Sequence, residues 1–275
     1  MNALFDTHAH YDHPLFAGKG PQLLRELLER RAAGGAVIPA ISFDSNGNRE
    51  FFPPEDFPTV FFAPGLHPNF AVNEPLWDRD KREKFSRILE EPRSVAVKTG
   101  LDFSRGKLTE GQKEHELHFF RFMLDLAKEH GLPLVLHVRD AFPETAAVLR
   151  EKPLSTEAAV HCFTGGIADA RELMETGVTR FGIGGMLTRD GMDALRDCVR
   201  ELPLSALLLE TDAPFVKPKG YEGKVNTSET LPVVAELIAA LKDLPTETVT
   251  AALQKNAAEF FRIAGRLPAD GADLG

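Results

Sequence analysis

The sequence predicts a single (β/α)8 TIM-type barrel of the α/β class, and three observations carry that expectation. Eight short apolar runs are spaced along the chain, at residues 3–7, 36–42, 60–63, 95–99, 134–137, 158–162, 179–183 and 206–210. Stretches with helical spacing lie between most of them, and alternation of this kind builds a parallel sheet. The length, 275 residues, fits one such barrel as well as two small domains, but no linker, internal repeat or low-complexity segment divides the chain. An open doubly wound sheet is the competing architecture, yet no G-x-G-x-x-G follows the first run. The barrel is expected over residues 1–267, with the small, polar segment 268–275 as a frayed tail.

Taken in order, the first run leads into His8-Ala9-His10. Histidines at i and i+2 on a strand face one side, so both imidazoles can reach one metal ion. Asp6 shares that face one step earlier, and Asp12 one step later if the strand continues. His13, beside Pro14, reads as a loop residue near that rim. Leu23, Leu24, Leu27 and Leu28 form a helical stripe. The charged residues 78–84 read as a solvated helix face. In the fourth run, V-A-V-K-T, alternation points Lys98 the same way as Ala96 and sets Val95 and Val97 on the opposite face. Phe119, Phe122, Met123, Leu126 and Ala127 form a second helical stripe with Gly131 as its stop; Met123 belongs to the core, and His115, His118 and His130 are expected in solvent. The fifth run ends in His137 and the sixth includes His161, while the eighth leads through L-L-L-E-T-D, where Glu210 and Asp212 share a face. Residues 231–241 and 249–263 supply two closing helices.

In such a barrel the active site lies at the C-terminal ends of the strands. A single strand-end histidine is commonly structural, but His8, His10, His137, His161 and Asp212 converging on one rim point to a centre of one or two divalent ions. Zn, Mn and Mg are the candidates for imidazole and carboxylate donors. Asp212 would bind metal and take the proton from the attacking water. Asp6 and Glu210 are better placed to hold imidazoles or neighbouring loops in position.

The composition sets limits on partners. A formal net charge of −9 argues against a broad duplex-binding surface, though not against a local grip on one strand end, where a divalent ion adds positive charge. Arg105, Lys107, Lys217 and Lys219 fall on predicted loops and offer a local basic patch. Cys162 and Cys198 are too few for a disulfide framework. No apolar run approaches a membrane span and no leader pattern opens the sequence, so a cytoplasmic protein without membrane association is expected. No obligatory protein partner is evident.

Six motifs then follow in order over nearly the whole length: F-D-T-H-A-H-Y-D, P-G-L-H-P, T-G-L-D-F, L-H-V-R-D-A, V-H-C-F-T-G and L-L-E-T-D-A-P-F. Together they resemble the TatD family of metal-dependent deoxyribonucleases, within the amidohydrolase superfamily. The resemblance implies a two-metal phosphodiesterase acting on DNA or oligonucleotides, often from a 3′ end. It carries metal ligation onto His8, His10, His137, His161 and Asp212, and contact with substrate phosphate onto His67 and Arg139. One departure stands out: where the family usually has a glutamate bridging the metals, this chain has Lys98. Three roles are open to it. It is a carbamylated ligand, as in binuclear relatives of the superfamily, a cation replacing one metal's charge, or a structural residue turned aside. The first keeps a small-molecule amidohydrolase, lactonase or phosphotriesterase-like activity as the alternative function. Loss of the bridging ligand leaves a non-catalytic binding protein as a third possibility.

Overall fold

The computed structural model describes residues 3–104, 106 and 108–267, and in it eight parallel strands alternate with helices. The strands are β1 (Phe5–Asp6), β2 (Gly35–Pro39), β3 (Val60–Ala63), β4 (Val97–Asp102), β5 (Leu134–Arg139), β6 (Ala158–His161), β7 (Val178–Ile183) and β8 (Leu207–Leu209). Regular pairing runs β1-β2-β3 and β4-β5-β6-β7-β8. Isolated parallel bridges close the ring: Phe62 to Ser94 and Gly65 to Lys98 join β3 to β4, and Ala9 to Ala213 joins the first strand to the eighth. At the Gly65 crossing a Cβ would fall 1.9 Å from the Lys98 carbonyl oxygen, so only glycine permits the approach.

Regular pairing of β1 stops at Asp6, but the chain stays zipped to its neighbours as far as His10. The Thr7 amide donates to Leu209 at 3.0 Å, the Ala9 amide to Val37 at 3.1 Å and the His10 amide to Ala213 at 2.6 Å. His8 and His10 therefore ride on an irregular but fixed extension. The expected continuation to Asp12 does not occur. The His13 amide turns back to the His10 carbonyl, and the Asp12 carboxylate accepts from the Asn48 amide at 2.8 Å.

The helices are α1 (Gly20–Glu29), α2 (Pro68–Ala71), α3 (Arg79–Leu89), α4 (Glu110–His130), α5 (Phe142–Glu151), α6 (Ile167–Glu175), α7 (Asp193–Glu201), α8 (Leu231–Lys242) and α9 (Thr246–Phe260). The stripe on α4 buries Phe119, Met123, Leu126 and Ala127. A Thr109–Gln112 capping box starts that helix, and Gly131 ends it in the left-handed conformation at φ 63°. The charged run 78–84 lies at the start of α3, where Asp78 caps the Lys81 amide. After β2 the chain makes 3-10 turns over Asp44–Phe51 where a barrel helix would stand.

Two apolar layers stabilise the ring. The outer layer packs Val97, Leu101, Leu136, Val160 and their neighbours against the helices. The inner one fills the lower barrel with Phe5, Val37, Phe61, Val135 and Leu208, and the end of α9 plugs it with Phe260. Each fully buried Phe or Leu of this kind contributes about 1.5–3 kcal/mol. Strict alternation in the fourth run begins only at Val97: Val95 precedes the strand and joins Ala96 in the inner cluster. No helix among the described residues is long and apolar enough to cross a membrane.

Candidate metal centre

The rim above the inner apolar layer gathers the expected residues. Register sets Gly100 of β4 beside His137 of β5, and His137 beside His161 of β6. The His8 and His161 rings stack at 3.8 Å, 4° from parallel. Donor atoms of His8, His161 and Asp212 all lie within 4.8 Å of one another. Asp212 Oδ1 is 3.5 Å from His10 Nε2 and 3.9 Å from His8 Nε2. His137 Nδ1 lies 2.9 Å from His161 Nε2. Lys98 is fully buried, and its Nζ lies 3.4 Å from His8 Nε2. It points into the site, which removes the reading in which it turns aside.

The backbone is bent to aim these groups. Asp140, Cys162 and Asp212, which follow the ends of β5, β6 and β8, have φ of 50°, 45° and 55°. Left-handed conformations cost non-glycine residues energy and persist only where the surroundings hold them. For Asp212 the hold is its amide donating to the His8 carbonyl at 2.9 Å.

Burial decides the charge states. It drives His8 and His161 well below the ordinary histidine range, with the neighbouring Lys98 pushing the same way. His137 is lowered too, since burial outweighs its hydrogen bond to Asp102. Lys98 is lowered to about 7 by burial, against the pull of Asp212 and Glu210. The imidazoles of His8, His137 and His161 are therefore neutral and keep a lone pair. The buried Nδ1 atoms of His8 and His161 have no hydrogen-bond partner, an expensive arrangement for a polar atom unless something else engages the ring. Neutral imidazoles and one carboxylate with donor atoms this close together fit a divalent metal. His8, His10, His161 and Asp212 would hold it, with His137 alongside.

The supporting groups sit one step back. The Asp6 carboxylate accepts from the Thr211 amide at 3.0 Å, the Thr211 hydroxyl at 2.6 Å, the Ser228 hydroxyl at 2.7 Å and the His8 amide at 3.3 Å. Burial outweighs these bonds and raises it to about 6. It grips backbone and hydroxyls, locking β1 to the segment after β8. Glu210 accepts from the Cys162 amide and lies 3.7 Å from His161 Nδ1. Its carboxylate occupies the space a side chain at Gly182 would need, 2.0 Å from that Cβ position. Burial, reinforced by Asp212, raises Glu210 well above the carboxylate range.

Sequence reasoning missed Asp102. Its carboxylate lies 3.1 Å from His137 Nε2 and accepts from Ser104, and the Glu116 carboxylate accepts from its amide. Burial pushes Asp102 up, but the bonds from His137 and Ser104 prevail and hold it at about 2. The signal was present: Lys98, Gly100 and Asp102 alternate on one face once the strand runs past Thr99. The Tyr11–Ser228 contact at 2.7 Å, which steadies Asp6, had no comparable sequence signal.

His67 and Arg139 both reach this rim. His67 Nδ1 accepts from the Asn69 amide at 3.1 Å, and its ring is 4.3 Å from that of His137. Arg139 ends β5 on the His137 face, half-buried, and among the described residues its guanidinium has no hydrogen bond or ion pair. The expected basic patch is weaker. Lys217 donates to the Gly223 carbonyl and Lys219 pairs with Asp190, while Arg105 and Lys107 lie outside the described residues. His118 is exposed and His130 half-buried, but His115 is drawn to the Glu74 carbonyl at 2.6 Å instead of facing solvent.

A (β/α)8 barrel with neutral imidazoles and a carboxylate converging on its catalytic rim defines a metal-dependent hydrolase. The chain belongs to the TatD family: residues 5–262 match the family model described as "TatD related DNase". It is 33% identical over 264 residues to "Uncharacterized metal-dependent hydrolase YabD" of Bacillus subtilis, covering 94% of this chain and 99% of that one. It is 32% identical over 207 residues to "3'-5' ssDNA/RNA exonuclease TatD" of Erwinia billingiae, covering 72% and 76%. The crystal structure of the TatD homologue YjjV from Escherichia coli K12 superposes with a TM-score of 0.82 at 29% identity, covering 94% of this chain and 98% of that one.

Proposed function

We propose that the protein hydrolyses phosphodiester bonds of single-stranded DNA or short oligonucleotides, removing nucleotides from an end. The observation that carries this reading is Arg139, which lies on the same strand face as His137 and has no hydrogen bond or ion pair among the described residues. A guanidinium fork suits phosphate oxygens, and the imidazole of His67, beside His137, adds a polar contact. The name of the Erwinia relative supports the same substrate class. A bound divalent ion supplies Lewis acidity here, making water nucleophilic near neutral pH and polarising a phosphoryl oxygen. Asp212 takes the proton from the attacking water. His67 and Arg139 hold the phosphate, Asp102 fixes the orientation of His137, and Asp6 and Glu210 keep the loops and His161 in place.

Lys98 belongs to this reading as a carbamate. Its Nζ is fully buried, and no carboxylate among the described residues lies within ion-pairing distance. A permanent ammonium there would be an unpaired buried charge. The neutral amine attacks carbon dioxide: its lone pair forms the N–C bond as one C–O π bond breaks onto oxygen, the nitrogen gives one proton to water, and the side chain ends as a carbamate anion where the family usually places glutamate. Native mass spectrometry of the loaded protein should show the added mass of one carbon dioxide, absent in Lys98→Arg. A bare amine in the metal-loaded protein would remove this part.

The second reading is a small-molecule hydrolase using the same carbamate. Arg139→Met separates the two. A phosphodiesterase should lose roughly 10²-fold or more in kcat/KM, the scale of a lost charged contact, whereas a lactonase or amidase should barely respond. An unimpaired Arg139→Met enzyme would contradict phosphodiester recognition.

A further inference from the structure

The loops after β1 and β3 carry the same short device. His13-Pro14-Leu15-Phe16 and His67-Pro68-Asn69-Phe70 both begin with a histidine in extended conformation, at φ −73°, ψ 139° and φ −72°, ψ 142°. In each, Nδ1 accepts the amide of the residue two positions on, at 3.1 Å. A neutral imidazole used this way carries its proton on Nε2. Each loop therefore holds an imidazole N–H donor at the rim, fixed by its own backbone. The proposed function gives one of the twins, His67, a phosphate. The other is held just as firmly.

His13 also has a neighbour suited to a nucleotide. The Phe215 ring stands 4.9 Å from the His13 ring at 72°, and 6.3 Å from the ring of His10. Phe215 is 40% exposed, a large apolar surface left open directly beside the metal centre. Neither residue is on a loose loop. The Phe215 amide donates to the Asp212 carbonyl at 2.8 Å, and the His13 amide to the His10 carbonyl at 2.9 Å. Each is thus set by one turn of backbone from a residue of the metal centre. Exposed aromatic rings stack bases of any sequence, while nearby donors take the phosphate.

We infer that His13 and Phe215 form a nucleotide subsite beside the scissile bond, Phe215 stacking the terminal base and His13 Nε2–H donating to its phosphate. This rests on the phosphodiesterase reading and makes it specific to substrates that carry a base at the reacting end.

The test compares two single-stranded DNA oligomers of equal length, one ordinary and one whose terminal nucleotides lack the base, with the metal-loaded full-length protein. The unsubstituted enzyme should show a KM roughly tenfold lower for the base-bearing ends, the order of one base–aromatic stack. Phe215→Ala should bring the two substrates close to parity, and Phe215→Trp should preserve the gap. His13→Ala should raise KM on both oligomers more than it lowers kcat, with partial rescue by His13→Gln, whose amide can still donate. Thermal melting checks that each variant is folded, because a merely structural role would shift melting without touching the base-dependent difference. A gap that survives in Phe215→Ala, or is missing from the unsubstituted enzyme, overturns the subsite while leaving phosphodiester hydrolysis standing. Failure of the unsubstituted enzyme to cleave either oligomer overturns both.

Discussion

The lower and upper halves of one barrel interior are built from the same strands and obey opposite rules. Below, Phe5, Val37, Phe61, Val135 and Leu208 meet Phe260 in a purely apolar cluster. Above, a few residues further along, the interior holds Asp6, His8, Lys98, His161 and Glu210, all nearly or fully buried. The floor gains free energy from every atom it hides. The rim loses free energy through buried unpaired nitrogens and carboxyls raised by desolvation. The lower half stabilises the fold, and the upper half draws on that stability to hold groups ready for a metal.

The largest effect should come from breaking the floor. Phe260→Ala is expected to cost about 3–5 kcal/mol in urea unfolding, with specific activity of the folded fraction retained at low temperature. Loss of activity without loss of stability would mean that the two halves do not divide the work this way. Metal acts from the other side: chelator-treated protein should gain about 2.7 kcal/mol when the ion reaches a hundred times its dissociation constant. A calorimetric scan unchanged by Zn, Mn or Mg would argue that the rim residues form no metal centre.

The same contrast explains what could be read in advance. The floor and the outer layer follow period-2 and period-3.6 patterns, so eight strands and the helices α1, α4, α8 and α9 were visible in the sequence. The strand-end histidines, Asp212 and Lys98 were legible for the same reason, each being a polar residue within or just past an apolar run. What escaped depends on backbone that leaves those patterns. Asp12 turns away because the chain reverses at His10–His13, and Asp102 reaches His137 because β4 runs three residues past the apolar run. Tyr11 supports Asp6 through Ser228, 217 positions away.

Smaller effects sharpen the contrast. Lys98→Met should stabilise the metal-free protein by on the order of 1–2 kcal/mol, since it replaces a buried amine with an apolar chain of similar length, while abolishing hydrolysis. A destabilised Lys98→Met protein would show that the lysine serves the fold. In the outer layer, burial raises the Cys198 thiol from 9.0 to about 11. An acid held above its unfolded value makes the native state the better proton binder over that interval. Stability should therefore be unaffected by this group below pH 9.0 and decline as pH rises towards about 11. Cys198→Ala should flatten that slope in paired urea titrations, and an unchanged slope would place its cause elsewhere.

The rim residues are proposed to hold a divalent ion used to hydrolyse phosphodiesters. That role is tested most directly by titrating chelator-stripped protein with Mn²⁺ while following nucleotide release from end-labelled single-stranded DNA. The predicted result is no release without metal, saturable release with it, and at least roughly 10²-fold less in folded Asp212→Asn. Release that needs no metal, or that survives unchanged in Asp212→Asn, would show that the rim is not a metal-dependent phosphodiesterase centre.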